Sequence, residues 1–382
     1  MLMMGKLKRA FPTYKQPSIV TFGTGCVKAL LEHDNLAETA FFLSGQEEVR
    51  AIVGSSLQQY GRALTAAQVI TKPAGEPTYA MVQTGAAFLE RRPFKRIVGI
   101  GGGSVLDWCR LAWAASQGLL SLDEGKVGLQ ESMEMQPEFW LVPTTCGTGA
   151  EAANVAVFSA NRRKVPVVSQ AFIARRVLLD GQFLRCVSPQ SLACSLCDAL
   201  SHAVEAFVSI VPCALAKEAA VSALQLILAH YANDRDPSSR AQHLMEAGYL
   251  GGVAAANCSV GAIHAFAHTM AGYGLPHGYA NALGLIAGVH ANQDVPAMQA
   301  LLQRCGVSTI DAFVDRLRPI VRLALSSAVE VEPGRLLRDQ TSRQAISERM
   351  ATDVCMRSNP KILDAEARHV FLNRVLEAVE GV

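Results

Sequence analysis

The texture of this chain changes abruptly near residue 188, and that change limits the folds open to it. Before it, short apolar runs alternate with helical patterns: AFFLSG, AAQVITKP, RIVGIGGGS and FWLVPTT each close on small or turn-forming residues. Strands that alternate with helices predict a parallel sheet covered on both faces. The stretches between SGQ and VIT and after GGGS are long enough to be crossover helices. Beyond RCVSPQS the chain turns to Ala- and Leu-rich periodic segments with few strand signals, among them SALQLILAHYAN, MQALLQRCG and RHVFLNRVLEAVEG. These predict an all-helical second unit. Pro189 is expected to stop one element and Ser191 to cap the next helix, dividing the chain into an α/β unit over 1–188 and a helical unit over 189–382. At 382 residues, half of them hydrophobic, there is material for two cores.

Two apolar helical turns carry matched polar residues: Asp198 and His202 in CDALSHAVEAF, and His264 and His268 in GAIHAFAHTMAGYGLPHG, which runs on to His277. A four-residue step puts two side chains on one helix face, about 5 to 6 Å apart, which suits convergence on a single ion. A lone histidine on such a face is most often a core residue bonded to a backbone carbonyl. Here His264, His268, His277 and His290, four of nine histidines, fall within 27 residues. Carboxylate plus imidazole without cysteine suits a borderline divalent ion such as Fe²⁺ or Zn²⁺.

Charge and cysteine usage exclude several classes. Lys and Arg number 35 against 33 Asp and Glu, with no long single-sign run, which argues against nucleic acid as a partner. The ten cysteines are scattered, with a single CxxC spacing at Cys194 and Cys197 and no second such pair to complete a four-cysteine site, so neither a disulfide framework nor a zinc ribbon is expected, and a reduced cytoplasm is the simplest setting. The start, MLMMGKLKRAF, lacks an apolar core of signal-peptide length, and longer apolar runs are broken by His, Asn or Gly. No membrane association is expected.

Two loops have the composition of phosphate cradles. In RIVGIGGGSVLDWCRLAWAA a strand ends in Gly101, Gly102, Gly103 and Ser104 and a helix follows, so backbone amides and the helix dipole can meet an anion. PTTCGTGAE is expected to repeat that strand-to-helix geometry, with hydroxyls from Thr144, Thr145 and Thr148 and close approach at Gly147 and Gly149. Either loop alone can be an ordinary tight turn. Open α/β sheets bind ligands at this end of their strands.

Taken in order, GGGSVLD, PTTCGTGAE, DALSHAVEA and HAFAH…PHG resemble the iron-containing (group III) alcohol dehydrogenases, over a span from FGTG near residue 22 to SNP near residue 358. The resemblance implies an N-terminal Rossmann-like domain, a helical C-terminal domain of dehydroquinate synthase-like architecture, and a metal between them. It implies Asp198, His202, His264 and His277 as ligands of Fe²⁺ or Zn²⁺, and His268 as a histidine outside the ligand set near the nicotinamide. Gly101, Gly102, Gly103, Ser104, Asp107, Thr144, Thr145 and Thr148 fall on dinucleotide contacts. The implied reaction interconverts a primary alcohol and its aldehyde with NADP or NAD, the ion acting as Lewis acid and His268 passing the alcohol proton to solvent. An imidazole's ordinary pKa of about 6.5 suits that relay. A homodimer is the implied assembly. Reductases of maleylacetate or phosphono-aldehyde type are alternatives within the superfamily; a catalytically silent nucleotide- or metal-binding subunit is the alternative from another class.

The chain departs from the family pattern in places. The step from His264 to His277 is one position short, Arg110 replaces a usual Lys, and Leu196, Trp108 and Cys146 stand where small residues are common. At the corner after Ala40 to Leu43 stand Ser44, Gly45 and Gln46, where NAD-preferring relatives place an aspartate on the adenosine ribose. Without that carboxylate NADP(H) is permitted. Glu47 and Glu48 are expected to face solvent, and Arg50 or Lys72 to supply positive charge.

Overall fold

The computed structural model describes residues 14–30, 36–123, 126–129, 137–160, 163–233 and 235–381. The MLMMGKLKRAF segment, from which the absence of a leader is expected, lies outside them. The strands in chain order are β1 Ile19–Phe22, β2 Thr39–Leu43, β3 Val69–Thr71, β4 Arg96–Gly101, β5 Leu120–Asp123, β6 Lys126–Leu129, β7 Glu138–Pro143, β8 Val155–Ala160, β9 Arg163–Val168 and β10 Arg176–Leu179. Six of them form one sheet in the order β1-β10-β7-β4-β2-β3, parallel throughout. Its central strands carry near-continuous apolar runs, TAFFL, RIVGIG and EFWLVP, because a sheet covered on both faces has no polar side. Three helices belong to this half: α1 Glu47–Gln58, α2 Tyr79–Leu89 and α3 Gly103–Ser116. Two antiparallel hairpins, β5–β6 and β8–β9, stand outside the main sheet.

Among the described residues ten α-helices follow: α4 Pro189–Val208, α5 Ala214–Asn233, α6 Pro237–Cys258, α7 Ala262–Ala271, α8 His277–Ala291, α9 Pro296–Arg304, α10 Ile310–Leu325, α11 Pro333–Arg338, α12 Gln340–Thr352 and α13 Ala365–Glu380. The junction differs from expectation in one detail. Ser188, not Ser191, is the cap: its hydroxyl accepts from the Ser191 amide at 3.2 Å, and Pro189 starts the helix rather than stopping its predecessor. Proline suits a first helical position, where its missing N–H would have had no partner. By length and composition α4 could cross a membrane, but 78% of that window is buried inside the protein, as expected of a core helix.

The two halves meet through glycine. A Cβ on Gly149 would lie 2.1 Å from the Gly252 Cα of α6, and one on Gly248 would lie 2.4 Å from the Cys146 carbonyl oxygen. The loop after β7 therefore rests directly on the backbone of α6.

Candidate metal and dinucleotide site

Asp198 and His202 lie one turn apart on α4; α7 contributes His264, and His277 is the first residue of α8. The Asp198 Oδ1 lies 3.8 Å from the His202 Nε2, 3.5 Å from the His264 Nε2 and 3.6 Å from the His277 Nε2. These separations are long for hydrogen bonds. They approach the ~3.4 Å that separates two donors each about 2.1 Å from one ion at a tetrahedral angle. Asp198, His264 and His277 each offer a donor atom within 4.8 Å of the others'. His202 stands at the edge of this set, its ring stacked on that of His264 at 4.6 Å.

The second ring nitrogens explain which atoms face inward. His202 Nδ1 meets the Gly147 carbonyl at 3.2 Å and His264 Nδ1 meets Glu205 Oε2 at 2.7 Å. Both partners only accept, so the hydrogen sits on Nδ1 and the Nε2 lone pair is free for an ion. The His264 Nε2 is buried without a hydrogen-bond partner, a state that costs free energy unless something other than protein satisfies it. Burial opposes charge throughout, yet His202, His277 and His264 hold the Asp198 carboxyl well below the usual carboxylate range. Burial pushes His202 down to about 4 and His277 well below its ordinary value, while Asp198 and Glu205 overcome burial at His264 and raise it to about 9. His202 and His277 are thus held neutral beside the carboxylate, and a divalent ion binding here would displace the proton that Asp198 and Glu205 favour on His264. The residues fit such an ion.

Two supporting residues escaped the sequence reading. Glu205 accepts the Ile263 amide through Oε1 at 2.6 Å while its other oxygen holds His264. It thereby also caps α7, whose N-cap position is Gly261 and whose Ala262 amide goes to Asn359 Oδ1 at 3.3 Å. Asn281 donates to Asp198 Oδ1 at 2.7 Å. Their signal was helical spacing: Glu205 lies two turns after Asp198, and Asn281 one turn after His277.

His268 lies outside the inner set. Its ring stacks on His277 at 5.6 Å, its Nδ1 meets Asp353 Oδ2 at 3.2 Å, and its side chain is 35% exposed. The Cys355 amide fixes Asp353 through its other oxygen at 2.9 Å.

The first glycine loop has the expected form. Gly101 ends β4, Gly102 is the N-cap of α3 without any side-chain cap, and Gly103 and Ser104 open the helix. Uncapped amides at a helix start favour an anion. The second loop is different. After Thr144 and Thr145 the chain makes only a 3-10 turn at Ala150–Ala152 and enters the β8–β9 hairpin, so PTTCGTGAE does not repeat a strand-to-helix turn. It serves instead as a bridge. A Cβ on Gly103 would lie 2.5 Å from Thr148 Oγ1, and one on Gly147 would lie 2.8 Å from the Ser195 carbonyl oxygen of α4. One short loop thus touches both the glycine turn and the helix of Asp198.

Asp107 is buried against Arg110, whose Nη2 donates to its Oδ1 at 2.7 Å; burial raises the carboxyl to about 6, with Arg110 opposing. Arg110 also donates to the carbonyls of Ala150 and Ala153, at 3.0 and 2.9 Å, and so anchors the exit of the second loop. Trp108 points away from the site, donating to the Met81 carbonyl at 2.6 Å. Ser44 follows β2 with its hydroxyl accepting from the Gln46 amide at 3.2 Å, and Glu47 and Glu48 are exposed in the first turn of α1. Lys72 is not available as the compensating charge, because its buried ammonium donates to the Pro73 and Gly75 carbonyls.

Residues 17–181 match the family described as iron-containing alcohol dehydrogenase, and residues 192–324 match its C-terminal domain. The chain is 34% identical to a 4-hydroxybutyrate dehydrogenase of Clostridium kluyveri over 55% of this chain and 58% of that one. It is 28% identical to the 1-propanol dehydrogenase PduQ of Salmonella typhimurium over 79% and 83%. In three dimensions it resembles a sulfoacetaldehyde reductase of Bifidobacterium kashiwanohense in complex with NAD+, with a TM-score of 0.81 at 20% identity over 96% and 99% of the chains. It also resembles an iron-containing alcohol dehydrogenase of Thermococcus thioreducens, with a TM-score of 0.78 at 18% identity over 97% and 100%.

Proposed function

Because this chain belongs to the iron-containing alcohol dehydrogenase family, we propose that it interconverts a primary alcohol and its aldehyde with NADP(H) or NAD(H), using Fe²⁺ or Zn²⁺ held by Asp198, His202, His264 and His277. The observation that carries this reading is the convergence of three histidine Nε2 atoms on one carboxylate oxygen, with that of His264 buried and unpartnered. When bound, the ion supplies Lewis acidity to the substrate oxygen, and the nicotinamide supplies the redox centre. The chain's own residues do the rest. Glu205 and the Gly147 carbonyl orient His264 and His202, and the glycine turn with Thr144, Thr145 and Thr148 would hold the dinucleotide. An intact donor set favours this over the metal-free reductases. An alcohol and aldehyde panel followed by nicotinamide absorbance on metal-reconstituted protein tests it; no turnover with any member would overturn it.

His268 is proposed to carry the alcohol proton to solvent. Asp353 holds its Nδ1, its ring lies beside His277, and its edge is exposed, so the imidazole links the inner set to water. His268→Ala is expected to retain metal while alcohol oxidation slows by about 100-fold, the lower end of general acid–base effects. Metal content and kcat check this; an unchanged kcat would leave His268 as packing alone.

NADP(H) is proposed to be used at least as well as NAD(H), because the corner after β2 carries no carboxylate. A carboxylate at contact with a 2′-phosphate would cost on the order of 1 to 4 kcal/mol, depending on screening. Gly45→Asp is therefore expected to shift preference toward NAD(H). A side chain there is tight, since a Cβ would lie 3.0 Å from the Lys72 carbonyl oxygen. Gly45→Asn brings the same crowding without charge, so only the difference between the two variants reports electrostatics. Equal kcat/KM ratios for the two cofactors in both variants would sink the idea. A homodimer in a reducing cytoplasm is the proposed setting, consistent with ten free cysteines.

A further inference from the structure

A second cavity, of about 670 Å³, lies where the segment after β10 meets the helical half. That volume is within the ~300–1,000 Å³ of ligand pockets. None of its lining residues belongs to the glycine turn, the 144–149 loop or the proposed metal ligands. Its walls are aliphatic: Leu184 and Val187 after β10, Leu192 on α4, Leu244 on α6 and Leu323 on α10. Its polar lining is cationic, with Arg185 and Arg240 both exposed and neither in an ion pair among the described residues. Tyr231 also lines it; burial raises the pKa of its hydroxyl, and the nearby Arg240 charge acts against that rise. Two acidic groups lie near it: Asp236, beside the lining residue Pro237, accepts the Ser238 and Ser239 amides at 3.1 Å each, and Glu48 acts on Cys186, next to Arg185. With a net charge of only +2, two unpaired guanidinium groups over an aliphatic floor do not follow from a general excess of cations.

We propose that this cavity binds a single-chain carboxylate, its head paired with Arg185 and Arg240 and its hydrocarbon laid on the leucines. A guanidinium fork matches a carboxylate bidentately, and the chain removes apolar wall from water. The site is independent of the proposed reaction.

Calorimetric titration of the metal-loaded protein with octanoate tests it, with acetate as head without tail and octan-1-ol as tail without charge. Saturable octanoate binding is expected, weakened at least tenfold in the Arg185→Gln/Arg240→Gln variant, with acetate and octan-1-ol failing to compete. Both arginines are exposed and unbonded, so the variant is expected to keep its melting temperature and its turnover without octanoate. Absence of saturable binding, equal binding in the double variant, or competition by octan-1-ol, which would place octanoate at the alcohol site, each overturns the proposal.

Discussion

Replacing His264 with alanine is expected to remove bound metal and turnover together, the largest single effect anticipated for this chain. His264 is the proposed ligand most completely enclosed by protein contacts. One nitrogen is held by Glu205 at 2.7 Å and the other lies buried 3.5 Å from Asp198. Lewis-acid stabilisation is worth several kcal/mol, so losing it should slow the reaction by about 1000-fold or more. His277→Ala is expected to behave alike, because its Nε2 completes the same set at 3.6 Å. Glu205→Gln removes a carboxylate that holds His264 without being a proposed ligand, and should weaken metal retention by about 10- to 100-fold, as other outer partners of metal-bound histidines do. Metal analysis after dialysis, paired with kcat, measures all three. Full metal occupancy in His264→Ala and His277→Ala would refute the ligand assignment.

The second large effect is expected from Gly149→Ala, at a position that packs on backbone rather than holding a proposed ligand. Gly149 has φ +57°, the left-handed region, and its added methyl would lie 2.1 Å from the Gly252 Cα. Neither strain can relax at a side chain, because the obstacle is backbone. The left-handed conformation costs about 1 to 2 kcal/mol for an L-residue, and overpacking a further ~1 to 3 kcal/mol. Their sum is a large share of the ~5 to 15 kcal/mol that keeps a typical protein folded. At about 2.1 cal/mol/K of unfolding entropy per residue, the melting temperature should fall by roughly 3 to 6 °C. Scanning calorimetry decides it: a variant melting within a degree of the wild type would show that the loop can move off α6.

Much of the fold is legible in the sequence because its central strands are long, apolar on both faces and closed by glycine or threonine, as in RIVGIGGGS. β1 and β10 escape notice because each has only four residues and IVTF has no apolar continuity to set it apart from a loop. Polar texture hides the β8–β9 hairpin, whose second strand, RKVPVV, begins with two cations. At the site, spacing places Asp198, His202 and His264 on helices but cannot show that the glycine-rich PTTCGTGAE turns back into a hairpin. Nor can it show that Arg110 donates to the Asp107 carboxylate. Those outcomes depend on partners 40 or more residues away: Arg110 bonds the Ala150 carbonyl and Gly147 meets Ser195. Glu205 was within reach of helical spacing, yet its double role becomes visible only once α7 is docked beside α4.

The bridge made by residues 144–149 has a thermodynamic consequence. Thr148 abuts the turn at Gly103, and Gly147 gives its carbonyl to His202, so a displacement of the loop is felt at both ends. Two ligands that bias one shared element are linked, and linkage is reciprocal: whatever factor the dinucleotide applies to metal affinity, the metal applies to dinucleotide affinity. On the proposed assignment, occupancy of either partner would favour retention of the other, and metal loss from a protein starved of nicotinamide would be a property of this loop as well as of the proposed ligands.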